Sequence, residues 1–466
     1  MWCMVFSSLF FIFIFLPVSV AAYYLLPRNW RNFCLLVFSL VFYAWGEPVY
    51  VFLMLFTVGF DYLIGFLLER FTAHPAIRRA VLIFGISVNL GLLAYFKYAA
   101  LLVSTINSFL SVSIPVPDVA LPIGISFYTF ESLSYAIDIY RGEAPPQKSL
   151  IDFGTYVSFF PHLVSGPIIQ YGEMQAQLQG RTESMEQITD GALRFLHGLF
   201  KKVLLANNLA LIADKVQYFG NPTALSAWLG ALAFTFQIYF DFAGYTDMAI
   251  GLGRMFGFTL PENFNMPYSS QSASEFWRRW HMTLGRWFRD YLYIPLGGNR
   301  CSAIKLVRNL AVVWVLTGFW HGASWNFAVW GAYWGFLIIC EKLFLQNWLE
   351  KIPVFFRWFY AFLAAVIGWV FFSYTDIRQA CGMVAAMFGF SGGVDSLGLY
   401  TLMTGWPILL LAAFFCTPYP AKILQWLDRK GRTGLAVRCA GMTVLFLLSV
   451  AALVDNSYNP FLYFRF

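Results

Sequence analysis

The sequence predicts an all-α, polytopic membrane protein, and three observations carry that expectation. Only 12% of the 466 residues are charged, whereas 59% are hydrophobic and 20% aromatic. A soluble domain carries roughly 25% charged residues, so the chain has about half the polar covering that a water-facing surface needs. Charge-free stretches also recur along its whole length. At roughly 20 apolar residues per crossing, there is room for about ten to thirteen spans.

Residues 1–27 carry no charge and lack the basic n-region of a secretory signal, so they read as a retained span. The stretches Val216–Phe240, Asn309–Cys340, Trp358–Thr375, Ser396–Ala421 and Cys439–Val454 are also charge-free. Weaker spans, each with a few polar residues, are expected near 33–46, 49–68, 80–103, 121–138 and 188–212. Arg28 and Arg31 follow the first span, and Arg70, Arg78 and Arg79 follow the third; the 422–438 loop is also basic. The positive-inside rule then puts the N-terminus outside and the loops at 28–32, 69–79 and 422–438 inside. No polar linker divides the chain, so residues 1–466 read as one transmembrane domain.

The remaining totals exclude several classes. A net charge of +7 is modest for this length, and no basic, water-exposed face is indicated, so no nucleic-acid partner is expected. The seven cysteines (Cys3, Cys34, Cys301, Cys340, Cys381, Cys416, Cys439) show no CxxC spacing. Neither a disulfide framework nor a metal site is expected. The halves show no inverted repeat of the transporter kind.

Residues 254–308 depart from the lipid-facing pattern. They are polar yet dense in Trp and Tyr, with Pro261-Glu-Asn and Asn265-Met-Pro clusters that break helices. Ser272, with Glu275 three residues on, predicts an N-cap. It opens one helix that runs to just before Pro295, on which Trp277, Trp280, Leu284 and Trp287 form a single stripe. Arg279 and Arg286 share another face, and Arg278 and Arg289 a third. Two readings fit. One is an amphipathic helix in the headgroup layer. The other is a partly buried helix whose arginines grip an anionic donor, such as a CoA or carrier-bound acyl thioester.

Only five histidines occur, and His321 lies near the middle of the charge-free stretch 309–340. An ionisable side chain at membrane depth is a functional candidate by default, although a hydrogen-bonded structural histidine fits as well. A buried His321 is expected to be neutral at pH 7, the state in which it can take a proton from a hydroxyl. His281 stands beside the arginine cluster. There is no GxSxG elbow, HExxH or Walker loop, so direct transfer by a histidine base is the chemistry left. Asp61, Glu131, Asp138, Asp241 and Asp247 interrupt apolar runs. They suit either a proton path or ion pairs with the arginines of 278–289. The segment 160–169, with Pro161, His162, Gly166 and Pro167, predicts a broken or re-entrant helix.

"WRRWHMTLGRWFRDYLYIPLGGNR" (277–300) followed by "TGFWHGASWNFAVWG" (317–331) resembles the membrane-bound O-acyltransferase superfamily. The segments "LPIGISFYTFESLSYAIDIYRGE", "FFPHLVSGPIIQYGEM", "FDFAGYTDMAIGLGRMFGF" and the terminal "NPFLYFRF" resemble its bacterial alginate O-acetyltransferase branch. The resemblance implies a bundle of about a dozen spans with tilted and re-entrant helices around a membrane tunnel. Its motif-bearing region covers about 120–345. It also implies that His321 activates the acceptor hydroxyl, that His281 is the second catalytic position, and that Trp320, Asn326 and Asp247 line the tunnel. Arg278, Arg279, Arg286 and Arg289 would hold the donor, acetyl-CoA or another acetyl thioester, with no bound cofactor. The implied setting is the bacterial inner membrane, with a periplasmic esterase-like partner and a polysaccharide acceptor. The D-alanyl-transferring branch shares the same logic, and a proton-coupled transporter or export channel is the rival from another class.

Overall fold

The computed structural model describes residues 4–218, 220–455 and Leu462. Cys3 and, Leu462 apart, the terminal 459–466 motif lie outside the described residues. Among the described residues there is no strand. The helices are α1 (Phe11–Leu25), α2 (Arg28–Gly46), α3 (Tyr50–Arg70), α4 (Pro75–Leu110), α5 (Ile125–Arg141), α6 (Leu150–Ser158), α7 (Phe160–Leu163) and α8 (Tyr171–Gly180). Then come α9 (Met185–Tyr218), α10 (Ala224–Met255), α11 (Ala273–Arg279), α12 (Met282–Phe288), α13 (Ala303–His321) and α14 (Trp325–Leu349). The chain closes with α15 (Val354–Ser373), α16 (Ile377–Met387), α17 (Ser396–Phe415), α18 (Tyr419–Asp428) and α19 (Gly431–Asp455).

Eight of these are long and apolar enough to cross a membrane: α3, α4, α9, α13, α14, α15, α17 and α19. The chain is a multi-pass membrane protein. The eight are fewer than composition has room for, because several expected spans are short or polar. α5 has 17 residues, and the 32-residue α10 carries Asp241, Asp247 and Arg254 along its length.

Three expected boundaries move. The stretch 216–240 is not one span: α9 ends at Tyr218 and α10 opens at Ala224, with Pro222 between them. The stretch 309–340 is a helical hairpin broken at Gly322–Ser324, so His321 is the last residue of α13 rather than the middle of a span. The basic stretch 422–438 is not a loop but the end of α18 and the start of α19, tied by an Arg438–Asp428 contact of 2.9 Å.

The chain forms two compact units. The first holds the described residues up to Phe195 together with Thr246–Pro261. Its core gathers Phe6, Phe11, Phe15, Phe42 and Phe160 ring against ring. A buried knot joins three of its connections. Glu183 accepts from Tyr23 (2.8 Å) and lies 3.0 Å from Arg31, while the Arg181 guanidinium donates to the Phe256 carbonyl (3.1 Å). At the α3–α4 turn, Arg78 donates to the Leu68 and Ile139 carbonyls. The chain breaks after α6. Phe159 precedes the single turn α7, and residues 167–170 form no helix, ending in an extended Gln170. There His162 Nδ1 meets the Glu131 carboxylate at 2.9 Å, both fully buried.

The second unit holds Leu196–Tyr245 and the described residues from Glu262 onward. Its centre is a cluster of Trp280, Trp314, Trp330, Trp334, Trp369 and Phe276. Phe276 and Trp334 stack with interplanar angle 3° at 5.3 Å. The hairpin of α13 and α14 is held close by glycine. A Cβ at Gly318 would run into the Phe327 carbonyl oxygen, and one at Gly331 into that of Trp314. Bulkier residues at either place would part the two helices.

Candidate active site

The site forms where a helix is interrupted. Ser272 caps α11 as expected, its Oγ accepting from the Glu275 N–H at 3.0 Å. The Glu341 carboxylate adds to the cap, accepting from the N–H groups of Ala273 (2.6 Å) and Ser274 (2.8 Å). The helix does not continue to Pro295. It stops at Arg279, passes through an extended Trp280 (φ −104°) and a left-handed His281 (φ 45°), and restarts as α12. The stripe of Trp277, Trp280, Leu284 and Trp287 is therefore divided between two short helices.

The cause is tertiary. The segment 263–265 lies across the gap as a clasp: the Asn265 N–H donates to the Arg279 carbonyl (2.9 Å) and the Met282 N–H to the Asn263 carbonyl (3.0 Å). Those bonds satisfy backbone groups that the broken helix would otherwise leave unpaired. A left-handed non-glycine backbone is uncommon and costs energy, so it persists only where its surroundings impose it.

The break aims the His281 imidazole into the core, where it is 1% exposed. Its Nδ1 lies 3.1 Å from Asn263 Oδ1, and its ring meets Phe242 edge-on at 4.7 Å. His321, 4% exposed, comes from the end of α13. Its ring centroid is 6.5 Å from that of His281, and Trp320 lies 5.8 Å from His281. Trp330 (4.9 Å) and Phe372 (5.4 Å) face His321 edge-on. Two imidazoles thus share a cage of rings. Such a setting keeps water out and strengthens polar interactions inside it.

The other expected site residues are distributed as follows. Trp320 is buried against both histidines. Asn326 opens α14 and donates through Nδ2 to the Phe371 and Tyr374 carbonyls, tying the hairpin to the end of α15. Asp247 belongs to the other unit, where it pairs with Arg194 at 2.6 Å. Arg278 and Arg289 are exposed, and Arg286 is half-buried. Arg279 pairs with Glu275 at 2.7 Å, and Arg289 with Asp290 at 2.7 Å. The expectation that the buried carboxylates pair with the arginines of 278–289 is corrected for Asp241 and Asp247. Asp241 lies 2.5 Å from Lys202 and Asp247 pairs with Arg194, because α9 supplies both cations. Among the described residues, no three His, Cys, Asp or Glu side chains converge so as to hold a metal ion.

Sequence reasoning missed Asn263, Phe242 and Phe372. Asn263 sits in a Pro-Glu-Asn cluster that reads as a helix breaker. No local signal marks it, since it stands between Glu262 and Phe264 and its partner is 18 positions away.

Comparison with known proteins adds the chemistry. The model of the membrane-bound O-acyltransferase family matches residues 125–383. A probable alginate O-acetylase of Azotobacter vinelandii is 40% identical, the alignment taking in 99% of this chain and 100% of the relative. A probable alginate O-acetylase of Pseudomonas putida is likewise 40% identical over 99% of this chain and 100% of its own. A peptidoglycan O-acetyltransferase of Helicobacter pylori is 31% identical over 99% of this chain and 98% of its own.

Proposed function

Because this chain belongs to the membrane-bound O-acyltransferase family, we propose that it transfers acetyl groups from a cytoplasmic thioester to a hydroxyl destined for an exported, alginate-like polysaccharide. The chain is a multi-pass O-acyltransferase; the acetyl donor, the polymer, the bacterial inner membrane and the residue roles are the proposed part. The observation that carries the reading is the pair of buried imidazoles 6.5 Å apart within one ring of aromatic side chains.

His321 acts as general base. It takes the proton of the acceptor hydroxyl while that oxygen attacks the thioester carbonyl; the C–S bond then breaks, and the protonated His321 gives its proton to the departing sulfur, which leaves as the thiol. His281 is the second catalytic residue. Trp320 and Asn326 line the path to the pair. The arginines Arg278, Arg279, Arg286 and Arg289 suit an anionic donor such as acetyl-CoA. A periplasmic esterase-like protein carrying the first acceptor hydroxyl fits the same chemistry.

The rival transporter reading needs buried carboxylates free to cycle protons. The ion pairs of Asp241 with Lys202 and Asp247 with Arg194 count against it. The test is deletion of the gene followed by measurement of acetyl ester on the exported polymer. The expected result is loss of acetyl ester, restored by the wild-type chain. Full acetylation in the deletion strain would refute the proposal. Loss of acetyl from peptidoglycan instead, or of D-alanyl ester from teichoic acid, would move the acceptor to those polymers.

A further inference from the structure

Asn263 is fully buried, and its side-chain oxygen stands at the meeting point of three groups. The Thr283 backbone N–H lies 3.2 Å from Oδ1, the Thr283 hydroxyl 3.0 Å and His281 Nδ1 3.1 Å. A backbone N–H can only donate, so the amide atom facing it must be the oxygen. Turning the amide over would set an NH2 group against that N–H. With an oxygen fixed there, the ring nitrogen beside it must carry the hydrogen. A neutral imidazole has one N–H, so the lone pair is left on Nε2. That atom is buried and has no hydrogen-bond partner among the described residues.

We infer that Asn263 is a positioning residue that holds His281 as its Nδ1–H tautomer, so that His281 meets the reacting groups through Nε2 as a hydrogen-bond acceptor. The inference rests on the reading of the histidine pair as the transfer site. It has a consequence for which substrate His281 touches. A thioester has no hydrogen to offer, and its carbonyl needs a donor, which Nε2 in this tautomer is not. A hydroxyl does offer one. His281 therefore orients the acceptor through a hydroxyl next to the one whose proton His321 takes, and does not stabilise the oxyanion that forms on the thioester carbonyl oxygen.

The backbone reinforces the assignment. Asn263 also accepts the Met282 N–H on its carbonyl, so the same residue fixes the left-handed turn and the ring that projects from it. Asn263→Asp keeps an acceptor oxygen in this position, whereas Asn263→Leu removes it and leaves the Thr283 N–H and hydroxyl without this partner.

The test is 15N NMR of the full chain in detergent micelles, labelled with [15N]histidine, the His281 signals being identified by their loss in His281→Gln. Ring nitrogens with and without hydrogen differ widely in chemical shift. The expected spectrum has Nδ1 protonated and Nε2 bare in the wild type, Nδ1 protonated in Asn263→Asp, and a mixture of tautomers in Asn263→Leu. In turnover, Asn263→Leu is expected to raise KM for the hydroxyl acceptor several-fold, up to about tenfold, the loss of one well-placed hydrogen bond, and to leave the KM for acetyl-CoA near the wild-type value. An Nε2–H tautomer in the wild type, or an unchanged spectrum in Asn263→Leu, would overturn the inference. If Asn263→Leu does not fold, the wild-type and Asn263→Asp spectra still decide it. A wild-type protein with the expected tautomer but no thioester turnover would sink the transfer reading alone.

Discussion

His162 in the first unit and His281 in the second are buried to the same extent, 1% exposed each, but they keep different company. His162 sits 2.9 Å from the Glu131 carboxylate. His281 sits 3.1 Å from a neutral amide, among the rings of Phe242 and Trp320. A carboxyl group beside a buried imidazole ties the two side chains together, and removing one partner leaves the other buried without it. A neutral amide fixes the ring without supplying a counter-charge. The first environment suits holding a broken helix in place, and the second suits presenting a fixed ring nitrogen to a substrate hydroxyl. The same contrast runs through the neighbourhoods: Glu131–His162, Glu183–Arg31 and Asp247–Arg194 lie in the first unit. The histidine pair of the second unit is surrounded by Trp and Phe.

That contrast breaks if the two kinds of histidine respond alike. The largest effect is expected for His321→Ala, which should lower thioester turnover of the purified protein by about 10²–10⁴-fold, the usual contribution of a general base, counted per folded molecule. His162→Ala should do the reverse. It leaves the Glu131 carboxyl buried without this partner and should cost about 3 kcal/mol of stability, seen as a lower unfolding midpoint in detergent, while turnover per folded molecule stays near wild type. If His162→Ala were stable but inactive, the division between tie and chemistry would be wrong.

A smaller effect is expected from Gly318→Ala. The added methyl must displace the Phe327 carbonyl, an overpacking cost of about 1–3 kcal/mol. Because it parts the hairpin that ends in His321, turnover should fall along with stability. Stability without a turnover change would show that the hairpin does not set the position of His321.

The smallest effect concerns the ionic knot of the first unit. Burial pushes the Glu183 carboxyl up, but its bonds to Tyr23 and Arg31 and the charges of Arg31 and Arg181 outweigh that and hold it below the usual carboxylate range. A carboxylate with a depressed folded value contributes stability above its unfolded pKa, about 4.3, and loses it as pH falls through the folded value. The unfolding midpoint should therefore drop on acidification below about pH 4.3, and Glu183→Gln should flatten that part of the profile. An identical acid limb in the variant would remove Glu183 from the account.

The class of the fold was legible because it is a matter of composition: too little charge for water, spread too evenly for a soluble domain. His321 and His281 were legible because ionisable groups are rare here and the surrounding motifs resemble a known family. The breaks were not. A stripe at positions 277, 280, 284 and 287 has helical spacing, and nothing local announces that residues 263–265 will clasp the backbone and turn His281 left-handed. The hairpin at Gly322 was hidden for a related reason, since the 309–340 stretch stays free of charge straight through the turn. The partners of Asp241 and Asp247 were missed because the cations lie on α9, 39 and 53 positions away.

The most direct test of the central claim uses cells whose only copy of the gene encodes His321→Ala, with the protein present in the membrane at the wild-type level. The quantity measured is acetyl ester on the exported polymer. The account predicts polymer in normal amount carrying no acetyl ester. Polymer acetylated to the wild-type degree would contradict it.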